Sequence, residues 1–298
     1  MRVLIYNPNA GRIRRRSRYL NNAIELLRAR YPELEVWPTK GPGHATELAA
    51  EAASRGALLV ISAGGDGTAN EVANGLVGTS TALASIPCGT ANVLACETRT
   101  NLPPGEIAGL IPTMRPERIA VGKVTPAGGN PRYFLLMAGA GFDAMVNQRV
   151  DPSFKNRFGK LAYWHAGLTM TGRRLPRMEV TANGRTVETG FALMARVRNY
   201  GGDLQIASRA SLLEDQFELV TFRGRTSWPY LIYLGGALVG KATSLPGVRS
   251  ALTDHVHVHS ETPGVPVQAD GEMVGEAPAR VEIVSDALTL MVPLEFEG

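Results

Sequence analysis

The chain has 298 residues, 44% of them hydrophobic, enough for one large domain or two ordinary ones with proper cores. A formal charge of +4 and 6% aromatic content exclude the dense positive field and stacking platforms of a nucleic-acid binder, leaving a mild attraction to phosphates or an anionic membrane surface. Two cysteines, Cys88 and Cys96, suggest neither a disulfide scaffold nor a zinc site, and read as small apolar residues of a protein in a reducing cytoplasm.

In chain order, "VLIYN" reads as the first strand, its apolar run being too short for a secretory signal. "NPNAG" (Asn7 to Gly11) turns out of it into "GRIRRRSR" (Gly11 to Arg18), a basic run that is either a solvated helix start or a contact for phosphate or lipid headgroups. A helix over Arg18 to Tyr31, the strand "LEVWPT", a helix over His44 to Arg55, the strand "ALLVISA", a helix over Thr68 to Leu76 and the strand "TALASIP" follow. Strands alternating with helices of this length predict a parallel sheet with helices on its faces, and ligands beyond the carboxyl ends of its strands.

The style changes between Pro116 and Val121. From about Ile119 the pattern is period-two alternation with hairpin punctuation, as in "RMEVTANGRTVETGFALMARV", where Asn183-Gly184 is a two-residue turn signal. "HVHVHS" (His255 to Ser260), "ARVEIVS" (Ala279 to Ser285) and the closing "LTLMVPLEFE" continue it, so the second half is mostly β. His255, His257 and His259 share a strand face, which exposure accounts for better than zinc does. The longest apolar stretch, "WPYLIYLGGALVG" (Trp228 to Gly240), falls short of the roughly 20 residues that span a bilayer. It is either a core helix or an apolar lip for acyl chains, with Arg223, Arg225 and Lys241 beside it for headgroups.

The densest signal is "ISAGGDGTANEV" (Ile61 to Val72). Glycines at a strand end let backbone N–H groups face a ligand, and the helix that follows offers a positive dipole end. Asp66 would repel a bare phosphate, so a divalent cation or a neutral hydroxyl has to share the site. The competing reading is a tight strand-to-helix turn that needs glycine dihedrals. "NPNAG" and "PCGTAN" (Pro87 to Asn92) put small residues, amides and hydroxyls at two more strand ends, and together the three turns outline a nucleotide-sized cleft. Neither G-x-x-x-x-G-K-[ST] nor G-x-G-x-x-G occurs.

"NPNAG", "GGDGTANEV" and "PCGTANVLA", in that order, resemble the diacylglycerol kinase catalytic-domain family of bacterial lipid kinases, relatives of sphingosine and ceramide kinases and distantly of NAD kinase and 6-phosphofructokinase. "GAGFDAMV" (Gly139 to Val146), "KNRFGKLAY" (Lys155 to Tyr163), "RNYGG" (Arg198 to Gly202), "LLEDQFELV" (Leu212 to Val220) and "ADGEMV" (Ala269 to Val274) extend the resemblance over nearly the full chain. It implies an N-terminal α/β domain with a parallel sheet over 1–118 and a mostly β-sandwich C-terminal domain over 119–287. The last strand, about 288–297, would return to the first domain, and the active site would lie in the interdomain cleft. The implied reaction moves the γ-phosphoryl group of ATP, with Mg²⁺, to a lipid hydroxyl, diacylglycerol by default, with sphingoid base, ceramide, phosphatidylglycerol or another lipid alcohol also compatible with the motifs. The implied protein is cytoplasmic, touches its membrane lipid substrate peripherally, binds no nucleic acid, and is compatible with a homodimer.

Residue by residue, the resemblance places Asn7, Gly64, Gly65, Asp66, Gly67 and Thr68 around the ATP phosphates and Mg²⁺, with Thr39, Thr90 and Asn92 also in contact with the nucleotide. Phosphoryl transfer rests on positioning and charge neutralisation, with a base holding the attacking hydroxyl. In an extended segment Asp270 and Glu272 would point to one face, and the resemblance makes Glu272 the general base and Asp270 a metal or network ligand; an Asp-Gly turn is the alternative. Asp215 matches the ligand position of the family's structural metal motif, although Gln216 stands where the family has glycine. Asp143 matches the acid of a network linking that metal to the active site. Lys155 and Lys160 are candidates for neutralising phosphate charge. Two other readings explain less: a kinase of the NAD kinase type leaves "GFDA" and "ADGE" unaccounted for, and a non-catalytic nucleotide or lipid sensor does not need Asp66, Asp270 and Glu272 together.

Overall fold

The computed structural model describes residues 1–15, 17–149, 175–200, 204–224, 226, 232–233, 235–237 and 240–298. The run holding Lys155 and Lys160, Gly201 and Gly202 of "RNYGG", Arg225, and most of Trp228 to Gly240 lie outside the described residues. The chain divides into two compact units, Met1–Val121 with Ser285–Gly298, and Gly122–Val284.

The first unit is an α/β fold. Its strands β1 (Arg2–Tyr6), β2 (Leu34–Pro38), β3 (Leu59–Gly64) and β4 (Ala82–Pro87) lie in the order β2-β1-β3-β4, all parallel. The helices are α1 (Gly11–Arg15), α2 (Ser17–Arg30), α3 (His44–Ser54), α4 (Asp66–Leu76), α5 (Val93–Glu97) and α6 (Pro104–Leu110). Strand residues are buried in runs because helices cover both faces. Leu4, Ile61, Ala63, Ala84 and Ile86 pack with Leu20, Leu27 and Ile107 of α2 and α6. α3 packs on α4 so closely that a Cβ on Gly75 would stand 2.4 Å from the Thr46 carbonyl oxygen.

The second unit is a β-sandwich. Its strands include β5 (Arg115–Pro126, entering from the first unit), β6 (Arg132–Phe134), β7 (Met137–Gly141), β8 (Met178–Ala182), β9 (Arg185–Thr189), β10 (Phe191–Ala195), β11 (Asn199–Tyr200), β12 (Leu204–Gln205), β13 (Phe217–Phe222), β14 (Val248–Thr253), β15 (His255–His259), β16 (Pro266–Ala269), β17 (Glu272–Glu276) and β18 (Ala279–Val292), and helix α7 (Phe142–Arg149) follows β7. One sheet runs β14-β13-β10-β7-β16-β17, and β18-β15-β8-β9 form the other; every pairing in these two runs is antiparallel. Ala138, Ala140, Ala192, Met194, Phe217 and Val267 from the first sheet share one core with Met178, Val180, Val256, Val258 and Val281 from the second. Val256 and Val258 are buried while His255, His257 and His259 are exposed, the alternation a half-buried strand imposes.

Two expectations change. "ARVEIVS" and "LTLMVPLEFE" are one strand, because Asp286 takes a left-handed φ of 50° without ending β18. That strand stops at Val292 rather than near residue 297, where Pro293 removes the next N–H from the ladder. Its residues 285–292 belong to the first unit, where Thr289 and Leu290 pair in parallel with β4.

Candidate active site

In the first unit, register sets the rim. Tyr6 pairs with Pro38 and with Ala63, and Ala63 with Ile86, so β1 to β4 finish level. The turns carrying Asn7, Thr39, the "GGDGT" run and "PCGTAN" therefore share one edge of the sheet. Asn7 shapes its own turn: its Oδ1 accepts the Asn9 N–H (2.9 Å), while its backbone N–H donates to the Ala63 carbonyl (3.0 Å). The Thr39 N–H donates to the Tyr6 carbonyl (2.9 Å). Thr90 is exposed at the rim, and buried Asn92, at a left-handed φ of 50°, closes its loop by accepting from the Gly89 N–H (2.9 Å) and donating to the Gly89 carbonyl (3.3 Å).

Glycine dihedrals do not explain the "GGDGT" composition, since Gly64, Gly65 and Gly67 are all outside the left-handed region. Close packing does. A Cβ on Gly64 would lie 2.5 Å from Thr68 Oγ1, one on Gly65 would lie 3.3 Å from Gly89 Cα, and one on Gly89 would lie 2.6 Å from Gly65 Cα. What comes against this backbone is the "PCGTAN" turn itself, tied on by the Cys88 N–H donating to the Gly64 carbonyl (2.7 Å).

The acids of "GGDGTANEV" hold neighbouring helices. Asp66 Oδ1 accepts the Leu94 N–H (3.2 Å) at the start of α5. Burial pushes the Asp66 carboxyl above the ordinary range, and the amides of Leu94, Val93 and Asn92 pull it back. Buried Glu71 accepts the Ala45 N–H (3.1 Å) and so caps α3, whose N-cap Gly43 has no side chain to do it. The capping role of Glu71 has no sequence signal, because its partner lies 26 residues away.

In the second unit the extended reading of Asp270 and Glu272 fails. Ala269 pairs with Glu272, and between them Asp270 (φ 47°) and Gly271 (φ 83°) form a two-residue hairpin turn with both central residues left-handed. The two carboxylates therefore do not alternate along one strand. Asp270 clamps the backbone entering β7: its Oδ2 accepts from Leu135 N (2.7 Å), and its Oδ1 accepts from Leu136 N (2.9 Å) and Met137 N (2.8 Å). Glu272, half-buried, receives Arg132 Nη2 on Oε2 at 2.5 Å.

Asp143, at the first turn of α7, is fully enclosed. Tyr200 Oη donates to its Oδ1 and Gln268 Nε2 to its Oδ2, each at 2.7 Å. Gly139 leaves the room, as a Cβ there would sit 1.8 Å from Asp143 Oδ2. Burial pushes this carboxyl up, against the two hydrogen bonds. Gln268 Oε1 accepts the Gly271 N–H (2.7 Å), so a relay runs from Asp143 through Gln268 into the Asp270-Gly271 turn. Arg132 and Gln268 stand in no motif of the sequence, and Tyr200, although part of "RNYGG", has no local signal that ties it to Asp143.

Asp215 is exposed in the loop before β13. No group of three or more His, Cys, Asp or Glu side chains converges as a metal cluster among the described residues, so Asp143, Asp215 and Asp270 are separate carboxylates and not one ligand set. The 212–216 carbonyls instead face Arg196: Nη2 donates to Leu212 O (2.7 Å), and Nη1 donates to Glu214 O (2.8 Å) and Gln216 O (3.1 Å). Gln216 is not left-handed, so its side chain is unstrained there.

Residues 2–124 match the family described as diacylglycerol kinase catalytic domain, and residues 137–292 match the YegS C-terminal NAD kinase beta sandwich-like domain. A diacylglycerol kinase of Bacillus subtilis (strain 168) is 31% identical over 230 residues, 74% of this chain and 73% of that one. One of Mycobacterium tuberculosis (strain H37Rv) is 29% identical over 261 residues, 85% and 83% of the two chains. A "Probable lipid kinase YegS-like" of Xanthomonas campestris pv. campestris is 29% identical over 293 residues, 93% and 92%. Among solved structures, a diacylglycerol kinase of Bacillus anthracis str. Sterne superposes with a TM-score of 0.80 at 24% identity, covering 98% of this chain and 97% of that one, which speaks for the fold.

Proposed function

The chain belongs to the diacylglycerol kinase catalytic-domain family of lipid kinases, and we propose that it transfers the γ-phosphoryl group of ATP, with Mg²⁺, to the hydroxyl of a diacylglycerol-like lipid. The observation that carries this reading is the level rim of four parallel strand ends, where "GGDGT" and "PCGTAN" are packed Cα against Cα. Such a rim gathers the amides of a helix start and the hydroxyls of neighbouring turns, groups that a triphosphate binds. Arg12, whose Nη1 donates to the Pro87 carbonyl (3.2 Å), brings positive charge to it.

In this reading Asn7, Thr39, Gly64, Gly65, Gly67, Thr68, Thr90 and Asn92 cradle the nucleotide. A carboxylate has about four lone-pair positions, so Asp66, while accepting the Leu94 N–H, would still be able to accept a hydrogen bond from a metal-bound water. Glu272 is the base that takes the lipid hydroxyl's proton late, as the bond to phosphorus forms, and Arg132 holds its carboxylate in one orientation. Asp270 supports the turn that carries it. The lipid stays in its membrane and the protein meets it peripherally; no helix among the described residues is long and apolar enough to cross.

The test is transfer of labelled phosphate from ATP across a panel of diacylglycerol, sphingoid base, ceramide and phosphatidylglycerol in micelles, with NAD as a soluble acceptor. Diacylglycerol is expected to be labelled. Glu272→Ala is expected to lose nearly all turnover while its thermal unfolding stays close to wild type, since its carboxylate is half-exposed. Labelling of NAD alone would move the protein to a soluble-substrate kinase, and unchanged turnover in Glu272→Ala would remove it as base.

A further inference from the structure

Arg196, directly after β10, has the largest of the fully buried side chains among the described residues, at 0% exposure. An isolated buried guanidinium is costly, and it persists only where acceptors surround it. Here the acceptors are three main-chain carbonyls of a single loop, those of Leu212, Glu214 and Gln216 at 2.7 to 3.1 Å. Burial pulls the Arg196 pKa down to about 10, with the Asp215 carboxylate opposing, so the group is cationic at neutral pH.

A loop that turns alternate carbonyls inward beside an aspartate offers hard oxygens to a cation, the donor set magnesium or calcium would take. In this chain those carbonyls are already spent on the guanidinium, and Gln216 keeps a conformation open to any residue where the resemblance expects glycine. The residues therefore do not fit the structural metal that the family resemblance implies.

We propose that Arg196 is the built-in cation of the 212–216 loop, and that this loop binds no divalent metal. The same residue joins that loop to the segment entering β7: its guanidinium fixes the loop, while its main-chain N–H donates to the Leu136 carbonyl (2.8 Å), and Leu136 in turn donates its own N–H to Asp270. A loosened guanidinium is therefore expected to disturb that segment through the backbone of residue 196. Arg196 is thus a positioning residue for the segment that Asp270 clamps. The metal half of the proposal stands whether or not the chain is a lipid kinase; the positioning half rests on the reading of the Asp270 turn given above.

Manganese binding to the nucleotide-free, full-length protein, followed by electron paramagnetic resonance, decides the first half. Wild type and Asp215→Ala are expected to bind the same amount, and chelator is expected to leave the wild-type melting temperature unmoved. Manganese bound by wild type and lost in Asp215→Ala would overturn the proposal, and that comparison needs no Arg196 variant to fold. Arg196→Met is expected to melt on the order of 10 °C lower. For the second half, Arg196→Lys, assayed below its melting temperature, is expected to lower kcat several-fold with the KM for ATP unchanged. A rise in that KM with kcat intact would overturn the positioning role and leave the metal result standing.

Discussion

The two candidate turns, "GGDGT" in the first unit and "DGE" in the second, both carry an aspartate that accepts backbone amides, yet they are assembled differently. Around Asp66 the scaffold is the end of a parallel sheet: each turn follows its own strand, and register brings the ends level. Around Asp270 it is long-range, with amides 133 to 135 residues away, and Arg132 reaches Glu272 across 140. The first kind of site is a property of strand ends and tolerates the loss of one polar contact. The second is a keystone, because one carboxylate satisfies three N–H groups that have no substitute in the hairpin.

The largest effect expected from this contrast is on Asp270. Asp270→Ala leaves the Leu135, Leu136 and Met137 amides without their acceptor and removes a side chain suited to left-handed φ. It is expected to cost about 3–5 kcal/mol by urea denaturation, and Asp270→Asn is expected to recover part of that. A loss below about 1 kcal/mol would break the keystone picture. In the first unit, Gly89→Ala drives a methyl against Gly65 Cα. It should cost about 1–3 kcal/mol and raise the KM for ATP, whereas Gly65→Ala, with 3.3 Å of room, should do less; equal, negligible effects would show that the turns are not packed together.

A pH measurement sharpens the comparison further. Burial raises the Asp143 carboxyl above its unfolded value, so the native state holds its proton over a window in which the unfolded state has lost it. Its stabilising contribution is full below the unfolded value and declines as pH rises through the native one. Wild type minus Asp143→Asn stability, from urea midpoints, should therefore grow as pH falls through that window; the opposite slope would mean a depressed carboxyl held by Tyr200 and Gln268. The smallest expected effect is at Cys88, whose thiol burial pushes to about 11. It should stay unlabelled by a thiol reagent at pH 8 in native protein, while half-buried Cys96 reacts; rapid labelling of Cys88 would mean the first-unit rim opens.

The alternation of apolar runs and helical stretches up to Arg115, and the period-two pattern after Ile119, suffice to predict an α/β fold followed by a β-sandwich, because side-chain periodicity is a local property that burial on one or two faces imposes. The positions of the glycine-rich turns were legible for the same reason, since each closes its own strand. What pressed against those glycines was not: Gly65 meets Gly89, 24 positions on, only once β3 and β4 are paired. The left-handed turn at Asp270, the partner of Glu272, the helix capped by Glu71 and the guanidinium within the 212–216 loop were likewise decided by the tertiary structure, since each joins a polar group to a partner far along the chain, and no local pattern of residues encodes which distant amide or carbonyl folding will bring near.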